Sequence, residues 1–227
     1  MIPRIPAPRR GAAISPERLR SRIPNQKIIM AANPTTICNL ALAHLGEDQL
    51  MSLDDDSREA QFCKRFYDQT RDEVIQSHAW NFAIRRAVLS RLSEAPPFGW
   101  AWQYQLPADC LRILQLNGHD VSRREGRYEV EGGRLLTNDD ECAVRYLRRV
   151  EDAALFPPLF VEALALKIAT RLAKPLTGST SEVERLLTEY ERITKPLAMR
   201  ADALEGRPAV RPAWVESDFV RARRGGI

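Results

Sequence analysis

The sequence predicts a mainly helical α+β protein: a bundle of about four helices, a small antiparallel β sheet or sandwich inserted between them, and an extended C-terminal arm. Three observations predict it. Apolar residues recur at three- and four-residue steps before residue 99 and again after residue 151. Between residues 100 and 150 the apolar period drops to two and turn residues cut it into short runs. Beyond Gly206 the period is lost in a Pro- and Arg-rich stretch. The domain boundaries that follow are a helical bundle over 33–99 and 151–206, a β region over 100–150, an arm over 207–227, and an N-terminal extension over 1–32.

The clearest helix lies in Asp54 to Ala83. Asp56, Ser57 and Glu59 put capping oxygens and negative charge where a new helix leaves its N–H groups unpaired. Ala60, Cys63, Phe66, Tyr67, Thr70, Val74 and Ile75 then form one apolar face, while Arg58, Lys64, Arg65, Asp68, Arg71, Asp72 and Glu73 fall elsewhere. The run His78 to Phe82 is too aromatic for a solvated loop and is expected to turn the chain back against that face.

The other elements follow in chain order. Residues 1–32 carry five Pro and seven basic residues without a sustained apolar period. They are either disordered or an extension upstream of a start at Met30, because Asn33-Pro34 right after it is a helix opening. A first helix is expected from Pro34 to about Leu45, ended by Gly46, with His44 at the core edge. Ala83 to Leu92 reads as a further helical turn or two, stopped by Pro96-Pro97. Trp102, Tyr104 and Leu106 alternate with Gln103 and Gln105, as a half-buried strand does. Asn117-Gly118 marks a turn, and Gly132-Gly133 joins Arg127–Glu131 to Arg134–Thr137 as a hairpin. Cys142 to Leu147 alternates again.

Helix returns at Pro157-Pro158, with Phe160, Leu164, Ile168 and Leu172 as its buried stripe up to Lys174-Pro175. Ser181 with Glu184 reads as a capping box opening a last helix, whose apolar members are Val183, Leu186, Leu187, Tyr190, Ile193, Leu197 and Leu204. Pro196 should kink or divide that helix.

Charge is divided along the chain. The net charge is +4. Residues 1–29 hold seven basic side chains against Glu17, and residues 206–227 hold five Arg against Glu216 and Asp218. With +6 and +3 at the two ends, the body between them carries −5. The basic balance therefore describes the ends of the chain, which weakens it as a sign of nucleic-acid binding. The longest apolar run, Ala163 to Ala173, is interrupted by Lys167 and Arg171 and falls short of a membrane span, and no apolar stretch of a secretory signal follows the first basic residues. Cys38, Cys63, Cys110 and Cys142 are dispersed, as buried reduced thiols of a protein assembled in a reducing cytoplasm would be.

Several short motifs share an order and spacing with one family. They are Ala41-Leu42-Ala43-His44-Leu45-Gly46, Ser52-Leu53-Asp54-Asp55, Ala60 to Arg71 with its Cys-x-x-Phe-Tyr-Asp centre, Ala79-Trp80-Asn81-Phe82-Ala83, Tyr104 to Cys110, and Ala201-Asp202-Ala203. In these the chain resembles the head-to-tail adaptor (connector) proteins of tailed bacteriophages, in particular the tail tubular protein A family. The resemblance covers residues 33–206 and leaves out 1–29. It implies a virion structural protein and not an enzyme: one subunit of a ring, typically a dodecamer, at the head–tail junction, assembled in the host bacterial cytoplasm. It also implies as partners further copies of the chain, a portal protein, and a tail nozzle or other tail protein, with DNA passing through without specific binding. The C-terminal extension of such adaptors reaches toward the portal. Carried onto this chain, Arg207, Arg211, Trp214, Phe219, Arg221, Arg223 and Arg224 are the partner-binding residues expected. No catalytic residue carries over, and no cofactor, metal or membrane contact is implied.

Direct readings of chemistry are weaker. Asp54-Asp55-Asp56 lacks the alternation, Gly and distal Glu of a calcium loop, and is better read as acidity leading into a helix cap. His44, His78 and His119 stand at no zinc spacing. No phosphate loop, dinucleotide fingerprint, nucleophile elbow or His-Glu-x-x-His occurs. The runs Arg123-Arg124, Arg148-Arg149 and Arg221 to Arg224 allow an alternative, a basic-tailed helical DNA-binding regulator, although only Phe219 near Arg221 could stack on a base. Interface salt bridges and solvated faces account for these arginines more economically.

Overall fold

The structure, a computed structural model, describes residues 32–121 and 128–205. It is an α+β fold, with two small antiparallel sheets and helices on either side of them in sequence. The helices are α1 (Pro34–Ala43), α2 (Arg58–Ser77) and, after the β region, α3 (Pro158–Thr177), α4 (Thr180–Glu189) and α5 (Lys195–Glu205).

Helix α1 opens as its sequence demands. The Asn33 side chain accepts from Thr36 N at 2.8 Å, Thr36 Oγ1 accepts from Asn33 N at 3.0 Å, and Pro34 takes the first helical position. Helix α2 is capped by Ser57, whose Oγ accepts from Ala60 N at 3.2 Å. Its buried face holds Ala60, Cys63, Tyr67, Thr70, Val74 and Ile75 as expected, but Phe66 is only half-buried and Arg71 is buried. Position 71 lies one turn beyond Tyr67, and carboxylates on its own helix make its burial tolerable: Arg71 Nη1 meets Asp68 at 2.8 Å and Arg71 Nη2 meets Asp72 at 2.9 Å. Because Phe66 packs at the margin of the core, Phe66→Ala is expected to cost about 1–2 kcal/mol in urea unfolding, below the value for a fully enclosed ring. A loss near 4 kcal/mol would show the ring to be enclosed after all.

Helix α3 lies at the centre of the bundle. Phe160, Leu164, Ile168 and Leu172 are buried, and so are Ala163, Ala165, Leu166, Ala169 and Ala173, so the helix is enclosed on nearly every side. It runs past Pro175 to Thr177 and stops at Gly178, which adopts φ 72° and donates its N–H to Lys174 O. A left-handed residue costs glycine little, which makes this a natural helix stop. Ser179, directly after it, caps α4 by accepting from Glu182 N at 3.2 Å, in place of the expected Ser181. Two overlapping Ser-x-x-Glu patterns stand in this stretch, and the stop of α3 at Gly178 hands the first of them the cap.

Between α4 and α5 the helical rod continues through a π turn, Tyr190–Thr194. Pro196, just beyond it, has no N–H and crowds the carbonyl four residues back, and the wider turn takes up that mismatch. The expected kink is thus a local widening.

The β region departs from expectation at its start. Residues 84–88 form a strand, β1 (Ile84–Val88), where a helical turn was expected, and the 33–99 segment is correspondingly not all helical. Ile84-Arg85-Arg86-Ala87-Val88 is too short for its period to separate the two, and its partner decides: β1 pairs antiparallel with β7 (Ala143–Arg148), from Ile84 opposite Leu147 to Val88 opposite Ala143. The first sheet has the order β1-β7-β3-β4, with β3 at Cys110–Leu116 and β4 at His119–Asp120. The second has the order β2-β6-β5, with β2 at Trp102–Gln105, β5 at Tyr128–Glu131 and β6 at Arg134–Thr137. Gly132 and Gly133, both at positive φ, close the expected β5–β6 hairpin. Tyr104 and Leu135 of the second sheet share a small core with Ile113, Leu116, Val144 and Tyr146 of the first.

Candidate partner-binding surface

The apolar residues expected along the last helix divide between two faces. Leu186, Tyr190 and Ala198 are buried, whereas Leu187, Ile193, Leu197 and Leu204 are 41%, 62%, 51% and 69% exposed. Leu187 lies before the π turn, on the outer side of α4, and the π turn explains the division after it. One extra residue rotates everything after it by about 100° relative to an uninterrupted helix, so Ala198 and Asp202 face inward and Leu197 and Leu204 face outward. Leu197 and Leu204, seven residues apart, share a face with Ile193 one turn earlier. Aligned, exposed side chains of this size are the composition of a contact surface.

The inner face of α5 is held in place by polar contacts. Asp202 is buried, and its Oδ1 accepts from Asn81 N at 2.9 Å, while Asn81 Nδ2 donates to Asp202 O at 2.6 Å. His78 Nε2 lies 3.4 Å from Asp202 Oδ2. These contacts lock α5 to the turn after α2, which Trp80 anchors from the other side. The Trp80 indole donates to Val74 O at 2.9 Å and packs edge-to-face with Phe160, ring centres 5.1 Å apart. Phe82 and Phe156 complete the aromatic group, 4.7 and 4.9 Å from Phe160. The turn of the His78–Phe82 run against α2 is as its composition predicts.

A cavity of about 280 Å³ opens where α5 passes the start of α3. Its floor is Trp80 and Phe160, its walls Ala198 and Ala201 on one side and Pro157 to Leu159 on the other, and Asp202 and Glu205 stand at its edge. The two alanines supply the room.

A second, wider cleft of about 570 Å³ runs beside α2 and is lined by Tyr67, Asp68, Arg71, Asp72 and Arg149, among others. Its charges are mutually paired: Asp72 accepts from Arg71 and also from Arg149 Nε at 2.7 Å. The Asp72 carboxylate holds the Arg149 guanidinium above its ordinary pKa. Burial pushes the Tyr67 hydroxyl up, and that oxygen has no hydrogen-bond partner. This cleft works as a clasp between α2 and the segment after β7, and Arg149 of the Arg148-Arg149 run is thereby placed in an ion pair.

The partner-binding residues expected from sequence, Arg207, Arg211, Trp214, Phe219, Arg221, Arg223 and Arg224, lie outside the described residues, as do Arg123 and Arg124. Ile193, Leu197 and Leu204 were read as core in the sequence, and the signal that could have turned them outward is Pro196, which asks for a widened turn. Among the described residues no group of three or more His, Cys, Asp or Glu could hold a metal ion. Asp54 pairs with Lys64 at 2.7 Å, and Asp55 accepts from Met51 N and Ser52 N, so these two acids brace the approach to α2. The hydrogen bond from Lys64 holds the Asp54 carboxyl below its ordinary range. His44 Nε2 sits 3.1 Å from Glu162, at the edge of the core. Cys38, Cys63 and Cys142 are buried free thiols and Cys110 is half-buried. Burial pushes the Cys142 thiol up to about 12 and the Cys110 thiol up to about 11, which leaves both unreactive at neutral pH. Among the described residues no helix is long and apolar enough to cross a membrane.

No protein-family model matches the chain, and comparison with curated proteins returns no match either.

Proposed function

We propose that this chain is a structural subunit of a tailed-bacteriophage virion: one copy of a homo-oligomeric adaptor ring, dodecameric by its resemblance, at the head–tail junction. The ring docks on a portal protein, receives a tail nozzle or other tail protein, and forms part of the conduit through which DNA passes without being specifically bound. The observation that carries the reading is the outward row of Ile193, Leu197 and Leu204 on the last helix, which the basic segment 207–227 follows in sequence. Exposed aliphatic side chains aligned on a helix suit burial against another copy, and the segment beyond supplies Trp214 and Phe219, residue types that commonly dominate interfaces. The motif series spread over residues 33–206 agrees with it.

The mechanism is repeated modest contact. Each arm contributes one weak grip on the portal, and copies tied into a closed ring present many arms at once, so attachment gains avidity without any single strong site. Deleting Pro208–Ile227 is expected to leave the far-UV circular dichroism of the body unchanged and to abolish attachment to portal-bearing, DNA-filled heads. Undiminished attachment would move the portal contact elsewhere. Tight binding of duplex DNA by the intact chain, falling steeply as salt rises, would instead assign a DNA-binding regulator.

A further inference from the structure

We infer that in the free chain the cavity between α5 and the start of α3 is filled by the chain's own Trp214. The inference concerns the chain before it meets any partner and stands independently of the portal reading.

Size is the first argument. At about 280 Å³ the cavity lies at or below the low end for small-molecule sites, about 300–1,000 Å³, and suits one large side chain better than a free ligand. Its lining is aromatic and aliphatic at the floor and walls, with Trp80 and Phe160 almost wholly buried beneath it. An indole entering there would bury its faces against Pro157, Pro158, Leu159 and Ala201, since Trp80 and Phe160 are already covered. An indole also carries one N–H that must be satisfied. Asp202 stands at the edge, and a carboxylate offers about four acceptor positions, of which Asn81 N occupies one and His78 Nε2 approaches another.

Charge is the second argument. Among the described residues, Asp202 and Glu205 are the ionisable side chains of the lining, and no basic group is among them. The segment that carries Trp214 brings Arg207 and Arg211 ahead of it. A basic approach to an acidic rim favours that segment over the acidic body of another molecule.

Tether length decides between this chain and a second copy. Glu205 lines the cavity and Trp214 is nine residues further on, a span of at most about 30 Å when extended. Gly206 is the residue type that lets a helix end reverse, and Pro208 and Pro212 oppose continuation of α5. A tether this short gives Trp214 an effective concentration on the order of millimolar at its own cavity, far above that of another copy in a micromolar solution. Phe219 is further away and has no N–H to place.

The test uses the full chain labelled with 5-fluorotryptophan, whose four fluorine resonances are assigned by single Trp→Phe substitutions. A soluble gadolinium chelate broadens exposed rings, and Trp214 is expected to be protected about fivefold or more relative to the denatured chain, equally at about 1 and about 100 µM. Ala201→Leu, which fills the wall, is expected to remove that protection while the Trp102 resonance in β2 keeps its position. Trp214→Ala, which leaves the body untouched, is expected to shift Trp80 and to leave Trp100 and Trp102 in place. Full broadening of Trp214 at every concentration overturns the inference, as does protection that survives Ala201→Leu in a folded chain. Protection lost on dilution overturns it in favour of capture by a second copy. Should Ala201→Leu fail to fold, a Trp80 resonance indifferent to Trp214→Ala overturns it alone.

Discussion

Replacing Trp80 by alanine is expected to cost about 3–5 kcal/mol, a large part of the roughly 5–15 kcal/mol that holds a domain of this kind together. The ring is 1% exposed and reports to three elements at once: its N–H caps the end of α2 at Val74 O, it packs edge-to-face with Phe160 in α3, and it floors the cavity beside α5. Truncation would leave a void that Phe82, Phe156 and Phe160 cannot collapse to fill, because each is already packed against the others. Trp80→Phe should cost clearly less. It keeps most of the ring contact, and Val74 O retains the hydroxyl of Ser77 at 2.8 Å as a donor. Urea unfolding followed by circular dichroism measures both. A loss under about 1 kcal/mol for the alanine variant, the scale of a surface change, would mean that the His78–Phe82 turn does not join the helices as described.

The double substitution Ile193→Glu with Leu197→Glu is expected to do the reverse, sparing the fold and abolishing assembly. Both side chains are more than half exposed, so the effect on unfolding should stay within about 0.5 kcal/mol for each. If the row is buried against another copy, each aliphatic side chain contributes about 1.5–3 kcal/mol there. The introduced carboxylates would have to be desolvated, and in a closed ring the penalty recurs at every interface. Mass photometry of the chain incubated with portal rings should show ring-sized additions for the native chain and none for the variant. Normal assembly by a folded variant would place the contacts between copies on some other face.

How far the fold can be read from the amino-acid order is clearest at the helix ends. Asn33-Pro34, Ser57 and the Gly132-Gly133 pair act on backbone groups within a few residues of themselves, and all are found in their expected roles. Stretches failed where the deciding contact is distant. Ile84–Val88 is a strand because Ala143–Arg148 pairs with it, and Arg71 is buried because Asp68 and Asp72 neutralise it beneath the chain that follows β7. The candidate surface was half legible. Pro196 announced a disturbance in the last helix, but which side chains it would turn outward depends on how a π turn absorbs it.

By itself, then, the amino-acid order determined the α+β class, the caps at Asn33 and Ser57, the Gly132-Gly133 hairpin turn, and the separation of an acidic body from basic ends, because these depend on local backbone chemistry and on charge counted along the chain. Tertiary structure alone decided which face of the last helix is left without cover and where a cavity opens beside it. Both follow from a single residue's change of helical phase, read out against neighbours more than thirty residues away, and periodicity within one segment carries no record of that.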